Sequence, residues 1–369
     1  MKYRLFISLF LLKAIILSND ISFNGQFTTV VNNINKSSFI DFGYMPKTYY
    51  SYNLNEELVF DLEHVFFFQE NYNSDIELKS NLYRSWIRFS NNILDLRIGL
   101  QKISFGSALF LRPLAWFDSL DFRYTTGQTD GVESMRFILS PSNSLAFWFW
   151  IVGNDISGAS YGGRMEVAAV GLLEGNWGFT YYRDTESNPH FPYPSIFNTI
   201  MPNQNIQSDI GFSQNNRFGL DYRYDGDFGF WLEGCYNDFD KYGNLNLLTF
   251  GADYTLPILN GLLVSSETMF TRYSSERIAF GEQLMNLSRD DKYSVLHLSM
   301  PINHIHSFAL YSISMISNAS SFNTHSDTNI TDNLLRWSSV YNSFSIDYMF
   351  TLKTGKLNDI FQIVFVYNY

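Results

Sequence analysis

The side chains best suited to covalent or metal chemistry are few and scattered. The six histidines are His64, His190, His297, His304, His306 and His325. His304 and His306 would share one face of a strand, a spacing that suits two metal ligands, but no third ligand stands near them in the sequence. His306-Ser307 is an adjacent His–Ser pair but a weak signal, and no G-x-S-x-G elbow accompanies it. Gly162-Gly163 lacks the lysine of a phosphate-binding loop. The neighbouring carboxylates Glu56-Glu57 and Asp290-Asp291 point to opposite faces of an extended chain, so they make poor acid/base pairs. Cys235 is the single cysteine, which excludes an intrachain disulfide and a cysteine metal cluster and reads as a small strand side chain. These residues predict no enzyme, no metal and no cofactor. A hydrolase acting on lipid or surface polymer is the remaining catalytic alternative, since serine is abundant.

A different chemistry is spelled by the arginines and carboxylates, which recur on every second residue. Leu94, Leu96, Ile98 and Leu100 alternate with Asp95, Arg97, Gly99 and Gln101. Leu220, Tyr222 and Tyr224 alternate with Gly219, Asp221 and Arg223. Met165, Val167 and Ala169 alternate with Arg164 and Glu166, and Phe361, Ile363, Phe365, Tyr367 and Tyr369 with Gln362 and Asn368. Successive strand side chains point to opposite faces, so each segment has one oily and one polar side. If the oily sides meet lipid, the polar sides line a lumen. That lining is predicted to hold Arg84, Arg88, Arg97, Arg136, Arg164, Arg217 and Arg223, with Asp95, Glu133, Glu166, Asp221 and Glu233 as the acids. Arginine stays charged at every relevant pH and pairs bidentately with carboxylates, which suits a hydrated pore wall.

The elements that would position these rows are strands of about ten residues, the length that crosses lipid at a tilt. Sixteen candidates are legible: 54–67, 78–90, 92–102, 130–140, 143–152, 161–171, 175–184, 212–224, 227–237, 246–256, 261–272, 290–300, 305–316, 333–341, 343–353 and 358–369. Short connections carry turn residues, among them Ser90-Asn91-Asn92, Asp225-Gly226-Asp227, Asn260-Gly261 and Tyr341-Asn342-Ser343. Long ones alternate with them at 103–129, 185–211, 273–289 and 317–332. Parity requires an even number of strands before residue 54. Either 21–31 and 37–45 add two strands, giving eighteen, or that region lies outside the wall, giving sixteen. Closure is a physical demand, because an open edge in lipid leaves backbone groups unpaired at several kcal/mol each.

Among the long connections, 103–129 is the constriction candidate. It spans 27 residues and carries Arg112, Trp116, Asp118, Asp121 and Arg123. Two placements are open: folded inward, narrowing the pore with both signs of charge, or standing outside as a solvated loop. In 143–152 the polar-side positions hold Ala146, Trp148 and Trp150. They either pack against something inside the barrel or form part of an interfacial girdle.

Composition agrees with a membrane barrel. The chain has 369 residues and a net charge of −11, with 17% charged residues against the about 25% of an average soluble domain. Its 35 Phe, 24 Tyr and 7 Trp make it unusually aromatic, while mean hydropathy is only −0.11. The acidic balance excludes a nucleic-acid partner, which would need clustered Lys and Arg. Lys2 and Arg4 precede an apolar run from Leu5 to Leu17, too short for a membrane-spanning helix and suited to a secretory signal peptide over residues 1–18. Residues 19–369 then form one domain.

Two segments carry a family resemblance. The end of the chain, Phe361 to Tyr369, resembles the aromatic-ended C-terminal recognition strand of bacterial outer-membrane proteins, which implies the barrel-assembly machinery as a partner. Residues 82–123 resemble the hairpin of large porin-like barrels that reads R-x-G-R-Q-x-x-x-W-G and runs into a Pro/Asp-rich loop. Here it reads Arg97-Ile98-Gly99-Leu100-Gln101, with Phe105-Gly106 where the family has Trp-Gly, then Pro113 and Asp118. The expectation is an all-β fold, a transmembrane antiparallel up-and-down β-barrel of 16–18 strands with short periplasmic turns and long extracellular loops. It would sit in the outer membrane of a Gram-negative-type bacterium, in contact with outer-membrane lipid, and pass small hydrophilic solutes. The competing function is a non-conducting barrel that serves as adhesin, scaffold or envelope-assembly and polymer-export partner. A homotrimer is compatible with the porin resemblance, and nothing in the sequence selects an outer face for it.

Overall fold

The computed structural model describes residues 20–34, 37–72, 77–118, 131–153, 158–171, 174–185, 215–239, 243–280, 283–321, 324–353 and 360–369. The signal-peptide segment, with Asp121 and Arg123, lies outside the described residues. In chain order the strands are β1 (Asp20–Ile34), β2 (Ser37–Asn53), β3 (Val59–Tyr72), β4 (Glu77–Ser90), β5 (Leu94–Gln101), β6 (Val132–Ser142), β7 (Leu145–Val152), β8 (Ser160–Ala169) and β9 (Gly175–Asp184). The second half follows as β10 (Asn215–Asp225), β11 (Gly229–Phe239), β12 (Gly243–Leu256), β13 (Leu262–Phe280), β14 (Gln283–Pro301), β15 (His306–Ser321), β16 (Thr324–Val340), β17 (Phe344–Lys353) and β18 (Ile360–Asn368).

Each strand pairs antiparallel with the next. β18 also pairs with β1, from Gln26↔Asn368 to Ile34↔Ile360, so the wall closes at eighteen strands. The segments 21–31 and 37–45, left open by the sequence, are therefore the first hairpin of the wall, which runs in register from Asp20↔Ser51 to Ile34↔Ser37.

Two expected loops are instead wall. Residues 273–280 and 283–289 belong to β13 and β14, and 317–321 and 324–332 to β15 and β16; pairing continues to Phe280↔Gln283 and Ser321↔Thr324. The reason is physical. Alternation marks a strand only while one face meets an oily medium. Beyond that band the alternation stops: 317–332 is mostly Ser, Asn, Asp and Thr, and in 273–289 the apolar residues Ile278, Phe280, Leu284, Met285 and Leu287 keep no strict period of two. The ion pair Arg272 Nε–Asp290 Oδ1 at 2.9 Å joins exposed side chains on paired positions where this polar extension begins.

The outward face carries the oily rows. Met135, Phe149, Ile151, Phe218, Phe250 and Phe270 are among its exposed apolar side chains. Aromatic rings cluster toward the end that holds the short turns. Phe27 stacks on Tyr44 at 4.4 Å, the hydroxyls of Tyr44 and Tyr369 lie 2.9 Å apart, and Trp177 meets Tyr222 at 4.4 Å. Rings with one polar tip suit the boundary between hydrocarbon and headgroups.

The β4–β5 hairpin shows why its glycine matters. Gly99 has φ +121°, and a Cβ there would collide with the Ser85 carbonyl oxygen. The close approach lets Gln101, two residues on, turn fully inward and donate from Nε2 to the carbonyls of Arg97 at 3.1 Å and Ser134 at 3.0 Å. Replacing Gly99 with valine combines a left-handed backbone with a steric clash, and is expected to destabilise the folded barrel by about 1–3 kcal/mol, read by urea unfolding in lipid vesicles. An unchanged midpoint would show that the hairpin tolerates a side chain at this position.

Candidate functional site

The lumen is organised by the chain that leaves β5. Residues 102–118 fold into the barrel rather than away from it, which decides between the two placements open to the 103–129 connection for its described part. An irregular segment has no ladder to satisfy its N–H groups, and buried N–H groups must find acceptors elsewhere. Here two carboxylates provide them. Glu233 on β11 accepts from the backbone N–H of Ala108 at 2.8 Å and of Leu114 at 2.6 Å. Glu267 on β13 accepts from Leu109 at 2.6 Å, Phe110 at 2.9 Å and Leu111 at 2.6 Å, and from the Trp231 indole at 2.8 Å. Both carboxylates are almost wholly buried. Thr249 on β12 donates to the Leu111 carbonyl at 2.8 Å, and Ser107 donates to Asp221 on β10 at 2.9 Å. Gly106, with φ +101°, is the point where the loop backbone passes over Glu233; a Cβ would press on that carboxylate.

A second device keeps the loop compact. Arg112 donates to both oxygens of Asp118, at 2.6 and 2.9 Å, and to Ser104 Oγ and the Phe105 carbonyl. Burial works to lower the Arg112 pKa. Asp118 beside it, with Glu233 and Glu267 farther off, more than offsets burial and holds the guanidinium above its ordinary value.

Apolar packing seats both ends of the loop. Phe105 stacks on Trp150 at 5.6 Å and stands edge-on to Trp116 at 5.5 Å, while Trp116 stacks on Tyr182 at 6.1 Å. Trp150 is therefore one of the inward tryptophans that pack inside the barrel, and Trp148 packs against the same cluster. At the far end Phe110 meets His297 at 5.3 Å and Tyr311 at 6.0 Å. The loop thus bridges from β7–β9 to β14–β15.

The predicted lining residues divide into two groups. In the first, on β8–β11, charges serve the scaffold. Arg164 grips Asp221 at 2.6 Å and Glu166 at 2.7 Å, and its guanidinium lies 5.3 Å from the centre of the Phe105 ring. Arg217, 1% exposed, pairs with Asp184 at 2.7 Å and faces the Trp116 and Tyr182 rings. Arg223 pairs with Asp225 at 2.8 Å and lies over Trp231. Glu233 is a loop anchor. Glu267, its counterpart, has no place among the residues predicted from the sequence. The signal was there: it is the lone carboxylate in the inner row Ser265, Glu267, Met269.

The second group lies on β3–β6. Arg88, Arg97 and Arg136 are aligned across three strands by the pairs Arg88↔Arg97 and Arg97↔Arg136. Arg88 is held by Asp61 at 2.7 Å, and Lys47 by Glu63 at 2.6 Å. Asp95 lies 3.6 Å from Arg88 and 3.9 Å from Arg136. Arg97 stacks 4.2 Å over Trp86, and Arg136 lies 5.3 Å from the Trp148 ring. The Nε atoms of Arg97 and Arg136 are buried with no acceptor among the described residues. Arg84, lower in the same wall, donates to the Tyr83 carbonyl at 2.9 Å. Glu133 departs from its predicted place: it is exposed on the outward face with Met135, because it stands an odd number of residues from the inward Arg136.

This second wall borders open space. A cavity of about 620 Å³ is lined by Met45, Lys47, Glu63, Arg84, Trp86 and Arg97, and extends from Tyr369 at the short-turn end to Lys102 at the root of the loop. Another, of about 560 Å³, opens at the same end beside Arg164, Glu166 and Trp177. No group of three or more His, Cys, Asp or Glu side chains among the described residues is placed to hold a metal ion. Cys235 is buried and donates to Asn237 at 3.4 Å.

No family model matches the sequence, and no curated protein sequence matches it either. Solved structures do match in fold. OccK5 (OpdH) of Pseudomonas aeruginosa aligns at TM-score 0.62 and 9% identity, over 95% of this chain and 96% of its own. OccD3 (OpdP) of the same organism aligns at 0.59 and 10%, over 96% and 92%. OmpT, an outer membrane protein of Vibrio cholerae in its trimer form, aligns at 0.52 and 11%, over 95% and 100%. The closed eighteen-stranded all-β wall is thus the architecture of outer-membrane porin structures.

The scaffold pairs make a quantitative prediction. Arg217→Met removes the guanidinium that pairs with Asp184 at 2.7 Å in a buried site, which is expected to cost about 3–5 kcal/mol of barrel stability in urea unfolding. Adding Asp184→Leu takes away the other half of the pair and is expected to recover most of that loss. A double variant as unstable as the single one would show that the pair does not act as a unit.

Proposed function

We propose that this chain is an outer-membrane channel of a Gram-negative-type bacterium through which small hydrophilic solutes diffuse passively. The observation that carries this reading is the division of the lumen. The loop and its aromatic cluster occupy the β7–β15 side, while the space along β1–β5 is a cavity of about 620 Å³ bordered by charged side chains. An eighteen-stranded wall is too wide for its own side chains to fill, so the loop sets the width of the remaining passage. The outward oily rows and aromatic clusters support placement in lipid, and an interior lined with ion pairs supports a wet lumen. The trimeric state of one structural neighbour supports a homotrimer as the assembly to look for.

Selectivity follows from which charges are already spent. Arg112, Arg164 and Arg217 sit in short pairs with buried carboxylates, whereas among the described residues Arg136 has only the distant Asp95, at 3.9 Å, and Arg97 lies over Trp86 in no ion pair. A solute bearing a carboxylate or another oxygen-rich group would meet the Arg97 guanidinium, which borders the cavity, with the buried Arg136 charge behind it at the paired position on β6.

The test is conductance in planar bilayers. The purified, folded barrel is expected to pass discrete current steps; a folded barrel that passes none removes the channel reading. Arg97→Ala and Arg136→Ala should each raise the cation-to-anion permeability ratio about twofold, as expected when one charge about 10 Å from a hydrated ion path is removed. Selectivity unmoved in both variants would place the ion path elsewhere in the lumen.

A further inference from the structure

The oily outward face has a break on four adjacent strands. On β13–β16 the outward positions four to eight residues from the short-turn ends at Leu262, Pro301, His306 and Val340 are held largely by Ser266, Thr268, Ser294, Ser312, Ser314 and Asn333. Their facing is fixed by their neighbours: Glu267, Met269, Val295, Ile313 and Leu334 are buried on the inner side, and strand side chains alternate. The register makes one patch of them. Thr268 stands opposite Ser294, and Ser294 opposite Ser314; Ser312 stands opposite Asn333, and Leu296 alone separates Ser266 from Ser312. On β6, β10 and β12 the exposed outward side chains seven or eight residues from the short-turn ends are Met135, Phe218 and Leu248. A strand rises about 3.3 Å per residue and tilts about 40°, so the patch lies about 10–20 Å up an apolar band about 25 Å tall.

A hydroxyl or amide turned to acyl chains loses its water partners and gains none. Thr268 Oγ1 and Ser294 Oγ lie 3.2 Å apart and serve each other. Ser266, Ser312, Ser314 and Asn333 bond no other side chain among the described residues. A smaller outward break, at Thr48, His64 and Ser85 on β2–β4, supplies its own partners: His64 Nδ1 and Ser85 Oγ lie 3.0 Å apart, and the Phe66 ring meets the imidazole edge-on.

We propose that the outward face of β13–β16 is where copies of this chain meet in the membrane, patch against patch, at the axis of a homo-oligomer. The proposal rests on the homo-oligomer named above and not on the channel. Three features fit the patch to a second copy of itself. Hydroxyls and amides both donate and accept, so each group can serve its own kind. Small side chains let two walls approach closely, and in lipid it is packing and hydrogen bonds that hold such contacts. The rim above the patch carries both signs: Lys292 is exposed over the Phe270 ring at 5.7 Å, and Asp290, bonded to Arg272, follows it in the same outward row. Lys292 of one copy thus has Asp290 of the next as its acceptor. A lipid phosphate would satisfy Lys292 and Arg272, but it leaves the hydroxyls below, at acyl depth, without a partner.

The test uses the full-length barrel folded in vesicles of phosphatidylethanolamine and phosphatidylglycerol. Cys235→Ala removes the one native thiol, which is buried. In that background Ser312→Cys is oxidised with copper–phenanthroline beside two controls, Phe149→Cys on β7 and Thr48→Cys on β2. Since a disulfide needs Cα atoms within about 7 Å, Ser312→Cys is expected to give at least about tenfold more covalent dimer than either control. Ser266→Leu with Ser312→Leu and Ser314→Leu makes the patch oily. It is expected to weaken association at least about tenfold, while heat-modifiable migration shows the barrel folded. A triple variant that associates as tightly as the wild type overturns the proposal. Links at Phe149→Cys or Thr48→Cys in place of Ser312→Cys also overturn it, but keep the homo-oligomer and move its interface. A chain that is monomeric in every sample overturns the face and the homo-oligomer together. A Ser312→Cys thiol that stays unlinked and is freely alkylated by a lipid-soluble maleimide marks a lipid-covered face. A Ser312→Cys adduct with a different protein in cells, with no link between copies, marks another partner. Either result overturns the proposal. If the triple leucine variant does not fold, the single-cysteine results decide.

Discussion

Hydrocarbon offers a peptide group nothing to bond to, and every feature of this barrel follows from that lack. A backbone N–H or C=O left unpaired in lipid costs several kcal/mol, so the sheet has to close. It does so through the β1–β18 ladder from Gln26↔Asn368 to Ile34↔Ile360. Closure also releases the inner row from any duty to be oily. The same strand that shows Leu94, Leu96 and Ile98 to the outside can carry Asp95, Arg97 and Gln101 within. The constraint returns, reversed, where the chain turns into the lumen. The 102–118 segment has no ladder and much of it is buried, so its buried N–H groups face the same deficit that an unpaired strand would face in lipid. Glu233 and Glu267 make good that deficit from the wall.

This explains why acidic and basic groups in the interior play unequal parts. Arg112, Arg164 and Arg217 are buried in close pairs, at 2.6 to 2.7 Å. They fix geometry and add little field to the water beside them. The β5–β6 arginines are paired less completely, Arg97 half-buried at the border of the cavity and Arg136 buried beside it. Asp95 is shared between Arg88 and Arg136 at 3.6 and 3.9 Å, and Arg97 rests on Trp86 rather than on an acid. The lumen is therefore asymmetric by construction, with spent charge on the side where the loop is seated and residual charge on the side of the cavity.

How much of this was legible in the sequence depended on whether a residue reports its own surroundings. Strand 175–184 was read with the bounds it has, because Phe179 and Tyr181 are oily on one face and Gly178, Thr180 and Tyr182 lie on the other. The extensions of β13–β16 were not, because Ile278-Ala279-Phe280 and Leu284-Met285 break the period of two and 317–332 is nearly all polar. Glu133 was placed inward on residue type, although its odd spacing from Arg136 already forbade a shared face. The inward turn of 103–118 was not decidable locally. Its composition suits a solvated loop as well as a buried one, and the difference lies in Glu233 and Glu267, which stand 119 to 158 residues away from the amides they bind.

That separation has a consequence for how the molecule holds together. The loop cannot dock until β11 and β13 are in register with β12, from Glu233↔Thr249 and Gly251↔Glu267, since only then do the two carboxylates stand side by side on the inner face. Its anchorage thus depends on a wall already in register, and it is made by carboxylate side chains rather than by the ladder beneath them. Local opening draws on the least coupled elements of a structure, and the ladder bonds of the wall do not include this segment.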